Sequence, residues 1–79
     1  MEIIYNKKSL KYLKTLDKKT RQRIRKAIKG VPLGDIIKLH GMQNEYRLRI
    51  GNFRVLFIQE SDIISVQAIG SRGQIYRRI

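Results

Sequence analysis

Seventy-nine residues form one small domain, 1–79, and a hydrophobic share of 42% permits a thin core. The absence of cysteine excludes a disulfide framework and a thiolate metal site and fits a reducing cytoplasm; no apolar run approaches membrane-spanning length, and the opening Met1-Glu2-Ile3-Ile4-Tyr5 lacks the layout of a signal peptide. The formal net charge of +12, from 18 Lys and Arg against 6 Asp and Glu, implies a polyanionic partner: nucleic acid, a ribosome or an acidic protein.

In chain order, Glu2 to Tyr5 reads as a short strand, and Asn6 is placed to cap a helix. Leu10, Leu13 and Leu16 recur at helical spacing with Tyr12 on the flank, so residues 7–16 are predicted to form a short amphipathic helix. Asp17 caps a second helix, in which Thr20, Ile24, Ala27, Ile28 and Val31 fall on one stripe; Gly30 and Pro32 stop it. Its other face carries Lys18, Lys19, Arg21, Arg23, Arg25, Lys26 and Lys29. For any single lysine there, a solvated surface is the simpler reading; collectively the face suits RNA or an acidic partner. The short junction at Leu16-Asp17 predicts an antiparallel helical hairpin. Pro32 to Asn44 has no clean period: Gly34-Asp35 reads as a turn, and Ile36, Ile37 and Leu39 as an apolar anchor.

The most informative stretch runs from Glu45 to Gln59. Tyr46, Leu48 and Ile50 alternate with Arg47 and Arg49; Gly51-Asn52 is a two-residue hairpin loop; Phe53, Val55 and Phe57 then alternate with Arg54, Leu56 and Ile58. Such a loop pairs Ile50 with Phe53, Arg49 with Arg54, Leu48 with Val55, Arg47 with Leu56 and Tyr46 with Phe57, so one sheet face is apolar and the other carries Arg47, Arg49 and Arg54. Like charges directly opposite destabilise a hairpin, and a sheet that accepts them is expected to meet an anion there. A third strand, Ile63 to Ile69, follows Ser61-Asp62; strict alternation puts Ile64, Val66 and Ala68 on the apolar face, and Ser65, Gln67 and Ile69 with the arginines. Gly70 and Gly73 interrupt the parity and leave the direction of Arg72 open; Ile75-Tyr76 is expected to end the sheet. The fold class is α+β, in the order β-α-α-β-β-β, with the helical hairpin packed on one face of an antiparallel sheet.

These residues resemble the RelE/ParE superfamily of toxins from type II toxin–antitoxin systems, in its RelE-like branch. The likeness lies in Leu10-Lys11-Tyr12-Leu13 with Leu16-Asp17-Lys18, in residues 34–41, in the hairpin from Tyr46 to Val55, and in Ile69-Gly70-Ser71-Arg72-Gly73-Gln74-Ile75-Tyr76. The resemblance implies a small, ribosome-dependent mRNA endonuclease that inhibits translation and is silenced by a cognate acidic, RelB-like antitoxin. Its functional set falls here on Arg47 and Arg49 before the turn, Arg54 after it, and Arg72 and Tyr76 near the end. Some relatives carry a histidine near the C-terminus; Tyr76 stands at that place here, and the sole histidine, His40, is far from it in sequence.

RNA cleavage of this kind is attack by a 2′-hydroxyl on its own phosphate. It needs cations in place for the phosphoryl oxygens and groups to take and give protons, but no metal, and no small-molecule cofactor is expected. Arg54 and Arg72 are assigned to the scissile phosphate as catalytic residues, and Arg47 and Arg49 to RNA binding. Tyr76, the third catalytic assignment, has two roles open to it: stacking on a base, or proton transfer with its pKa lowered by neighbouring cations. Two other functions compete: a ParE-like inhibitor of DNA gyrase, which has no need of the Arg54, Arg72 and Tyr76 set, and a basic RNA-binding module or inactive toxin homologue.

Overall fold

The computed structural model of the protein describes residues 2–39 and 44–72. The elements are β1 (Glu2–Tyr5), α1 (Lys7–Lys14), α2 (Lys18–Lys29), β2 (Asp35–Lys38), β3 (Glu45–Ile50), β4 (Phe53–Glu60) and β5 (Ile63–Ser71). The strands form a single sheet in the order β1-β5-β4-β3-β2, with β1 parallel to β5 and the other pairs antiparallel. The α+β class is as expected, with one strand more than the sequence indicated: Asp35–Lys38, read as a turn and an apolar anchor, is an edge strand paired with β3. Among the described residues no helix is long and apolar enough to cross a membrane.

Both helices start where a side chain replaces the missing backbone acceptor. Asn6 accepts from the Ser9 amide at 2.8 Å and Asp17 from the Thr20 amide at 3.1 Å. A hydrogen bond from the Thr20 side chain and, after it, the one from the Thr20 amide hold the Asp17 carboxyl below its ordinary pKa. A depressed folded-state pKa contributes stability that is present above the unfolded value and lost as pH falls through the folded one. Asp17→Ala is therefore expected to lower the melting temperature at neutral pH and to remove part of the acid-side decline, as read by thermal melts across a pH series.

Each helix buries one stripe on the sheet, α1 over β5 and α2 over β3. Leu13, Ile24, Ile28 and Val31 meet Leu48, Ile50, Val55, Phe57, Ile64, Val66 and Ile69 in one core. The stripe of α2 is as predicted. That of α1 is rotated: Ser9 is buried and Leu10 is exposed. Ser9, Leu13 and Leu16 follow i, i+4, i+7, whereas Leu10 lies about 60° round the helix from Leu13, on the side away from Ser9. At the far edge of the core Tyr5 lies under the Arg25 guanidinium, 5.0 Å from the ring centroid. Burial raises the Tyr5 hydroxyl pKa, and the Arg25 charge opposes the rise.

The β3–β4 register matches the expected one at every pair, from Tyr46↔Phe57 to Ile50↔Phe53. Gly51 has φ of 57° at the first loop position, and Asn52 is not in the left-handed region, the pattern of a II′ turn. The parity expected for β5 holds only to Val66. Phe57 pairs with Val66 but Leu56 with Ala68, so Gln67 is an extra residue in the ladder. This bulge reverses the parity beyond it. Ile69 pairs with Val55 and enters the core at 1% exposure, and Ala68 takes its place on the arginine face.

Candidate functional site

The face of the sheet turned away from the helices holds the cations. Its outermost row reads Asp35, Arg49, Arg54 and Gly70 across β2, β3, β4 and β5, and the next reads Ile37, Arg47, Leu56 and Ala68. The structure thus brings Arg47, Arg49 and Arg54 onto one face, as the hairpin pattern predicted. Gly70 faces the same way as Arg54. Arg72 follows the end of β5, and its amide donates to the Asn52 carbonyl at 2.8 Å, which holds its backbone beside the β3–β4 turn. Tyr76, Gly73 and His40 lie outside the described residues, as does the expected sheet end at Ile75-Tyr76.

The arginines differ in state. Arg49 is exposed and its Nε pairs with the Asp35 carboxylate on the edge strand. An opposed pair of like charges costs about 0.2–1 kcal/mol and an exposed ion pair returns about 0–1 kcal/mol, so the Asp35 pair is of the size that opposes the Arg49–Arg54 repulsion. Arg49 thus has an internal counterion that the sequence reading, which expected an anion on this face, did not include. The sequence reads Asp35 as a turn residue, whereas it opens β2; the signal for its role is a carboxylate leading an Asp-Ile-Ile-Lys segment that can pair with β3.

Arg54 carries the stronger signal. It is only 7% exposed, and its Nη1 donates to the carbonyls of Gly51 and Phe53, both at 2.9 Å. Its Nε is closed off from solvent with no hydrogen-bond acceptor, and among the described residues no carboxylate pairs with it. An orphaned buried donor costs about 1–3 kcal/mol, more when charged. Gly70, directly across from it, contributes no side chain to oppose this folded-back posture.

Leu56, also on this face, is 8% exposed, while Ile4 and Ile37 are 46% and 45% exposed. The face is therefore cationic at the turn and more apolar away from it. Among the described residues no group of His, Cys, Asp or Glu is gathered to hold a metal ion.

Two arginines of different exposure, Arg54 and Arg72, are thus fastened to one turn, with Arg49 in the same row. Planar donor forks so placed suit a phosphate diester. Asp35→Asn is expected to lower stability by less than about 1 kcal/mol. It is expected at the same time to tighten binding of single-stranded RNA, because Arg49 loses its internal counterion; denaturant melts and fluorescence anisotropy read the two effects.

Comparison with known proteins agrees with this architecture. Residues 3–76 match the family described as the ParE toxin of the type II toxin–antitoxin system parDE. No curated protein matches the sequence. Among solved structures, a chain of a RelB–RelE antitoxin–toxin complex from Methanococcus jannaschii is 28% identical, with a TM-score of 0.78 over 95% of this chain and 96% of that one. A chain of an archaeal RelE–RelB complex from Pyrococcus horikoshii OT3 is 26% identical, with a TM-score of 0.71 over 92% of this chain and 96% of that one. A chain of the intact E. coli RelBE complex, at 19% identity, shares the fold with a TM-score of 0.72 over 89% and 94%.

Proposed function

The chain belongs to the ParE toxin family of type II toxin–antitoxin systems, within the wider RelE/ParE superfamily, and from that premise we propose that it is a ribosome-dependent mRNA endonuclease of the cytoplasm. It cuts by attack of a 2′-hydroxyl on the adjacent phosphate, without a metal. A cognate acidic antitoxin holds it silent; the two archaeal structures it is similar to are RelB–RelE complexes, and a chain of net charge +12 suits an acidic partner.

The observation that carries the nuclease reading is the fastening of Arg54 and Arg72 to the β3–β4 turn with no carboxylate paired to either among the described residues. Charge accumulating on phosphoryl oxygens is stabilised most by cations already in position. Arg72 is exposed and ready. Arg54 is held at the turn by its bonds to the Gly51 and Phe53 carbonyls, and its fixed charge faces the phosphate. Arg47 and Arg49 hold the flanking backbone. Tyr76 is assigned, on the family resemblance, to stacking or proton transfer. Arginine is a poor acid or base, so the ribosome supplies most of the substrate's orientation.

The ParE description of the family favours a second reading, inhibition of DNA gyrase. A translating extract charged with a defined message separates the alternatives. The nuclease reading expects the message cut within codons. An intact message with gyrase supercoiling blocked by purified protein establishes the second reading, and an intact message with translation inhibited establishes a basic RNA-binding protein without cleavage.

A further inference from the structure

We infer that Arg23, on α2, binds a second phosphate of the same RNA strand, next to the one held by Arg54 and Arg72. The inference rests on the RNA reading above and extends the site round the tip of the hairpin to the helix side. The sequence placed Arg23 among the generic cations of the outer helix face; the structure puts it at the turn. A methyl group built on Gly51 would lie 2.7 Å from Arg23 Nη2 and 3.5 Å from its Cζ, so the guanidinium rests over this glycine in space a side chain would fill.

Three arginines therefore meet at residues 51–53: the Arg23 guanidinium lies over Gly51, the Arg54 guanidinium donates to the Gly51 and Phe53 carbonyls, and the Arg72 backbone amide donates to the Asn52 carbonyl. Among the described residues none of them has a carboxylate partner, and the one ion pair is that of Arg49 with Asp35. Arg23 and Arg54 lie on opposite sides of the sheet, and the tip is where the two sides meet. A single strand whose scissile phosphate sits on the open face passes Arg23 as it leaves over the tip. Single strands are held in this way, by cations that track the backbone without reading sequence. The glycine makes the approach possible, because any side chain at Gly51 would push the guanidinium away.

The test uses an unstructured oligouridylate and the purified full-length protein without ribosomes, with affinity read by anisotropy across a salt series. Loss of one phosphate contact on a single strand lowers the slope of log K against log salt by about 0.7. Arg23→Gln is expected to lose that much slope with an unchanged melting temperature, and Arg23→Lys to keep it. Lys29→Gln, the same charge change farther along the same helix, is expected to leave the slope near wild type. A wild-type slope for Arg23→Gln, or an equal loss in Lys29→Gln, overturns the assignment. A fall in melting temperature with the slope unchanged also overturns it, since Arg23 would then only brace the turn. Cleavage in a translating extract is scored apart: no cutting by wild type defeats the nuclease reading and leaves the slope comparison valid, whereas cutting with no slope change in Arg23→Gln defeats the role of Arg23 alone.

Discussion

Arg72→Ala is expected to reduce cleavage of ribosome-bound message by about 10²–10³-fold, the usual cost of removing one prepositioned transition-state donor. Its stability should change by no more than about 0.5 kcal/mol, because the side chain is exposed and the bond that places it comes from the backbone amide. Arg54→Ala is expected to match that loss of activity and, unlike Arg72→Ala, to change stability. Removing Arg54 strips the Gly51 and Phe53 carbonyls of their donor and empties a buried position, but also removes a buried cation with an orphaned Nε. The first effects cost about 1–3 kcal/mol for each carbonyl that water cannot reach, and the last returns a comparable amount. The net change is expected to be a loss, since the turn sets the hairpin register. Arg54→Lys keeps the charge and gives up the planar fork, so it should recover stability better than activity. Single-turnover cleavage and denaturant melts on the same preparations give both quantities. Full activity in Arg72→Ala would remove it from the site.

The second large effect concerns the bulge at Gln67. Ile69→Lys is expected to unfold the domain, and Ala68→Lys is not. Ile69 is 1% exposed in the core, where an unpaired ammonium costs several kcal/mol on top of the packing lost. A small domain has roughly 5–15 kcal/mol of total stability to lose. Ala68 lies on the open face beside Leu56, where a lysine can extend its ammonium into water. Strict alternation from Ile63 predicts the reverse, with Ile69 outward and Ala68 inward. Circular dichroism melts of the two variants decide between the registers.

That reversal marks how far local sequence reasoning reaches. The β3–β4 hairpin was legible because a two-residue loop determines the pairing of both strands, and the two helix caps because Asn6 and Asp17 act on amides three residues away. The bulge was not legible, since neither parity of β5 is all polar and an inserted Gln67 has no local marker. Strand β2 escaped notice because four residues on a sheet edge show little alternation, and only Ile36 among them is even half-buried. Leu10 misled because it shares helical spacing with Leu13 while Ser9 faces the sheet.

The site divides the same way. Its shared face followed from strand parity, whereas the posture of Arg54, the Asp35 counterion and the approach of Arg23 to Gly51 depend on neighbours distant in sequence or on side-chain direction. No period encodes those. The resemblance to RelE-like toxins supplied the assignment of Arg72 and Tyr76, and backbone hydrogen bonding supports the position of the first.

The most direct test is end-group analysis of a message cut on programmed ribosomes, run beside a message carrying one 2′-deoxynucleotide at the cleavage position. Attack by the 2′-hydroxyl on a phosphate held by Arg54 and Arg72 predicts a 2′,3′-cyclic phosphate or its opened product upstream, a 5′-hydroxyl downstream, and no cut at the deoxy position. Undiminished cutting at the 2′-deoxy position, or products bearing 5′-phosphates, would contradict it.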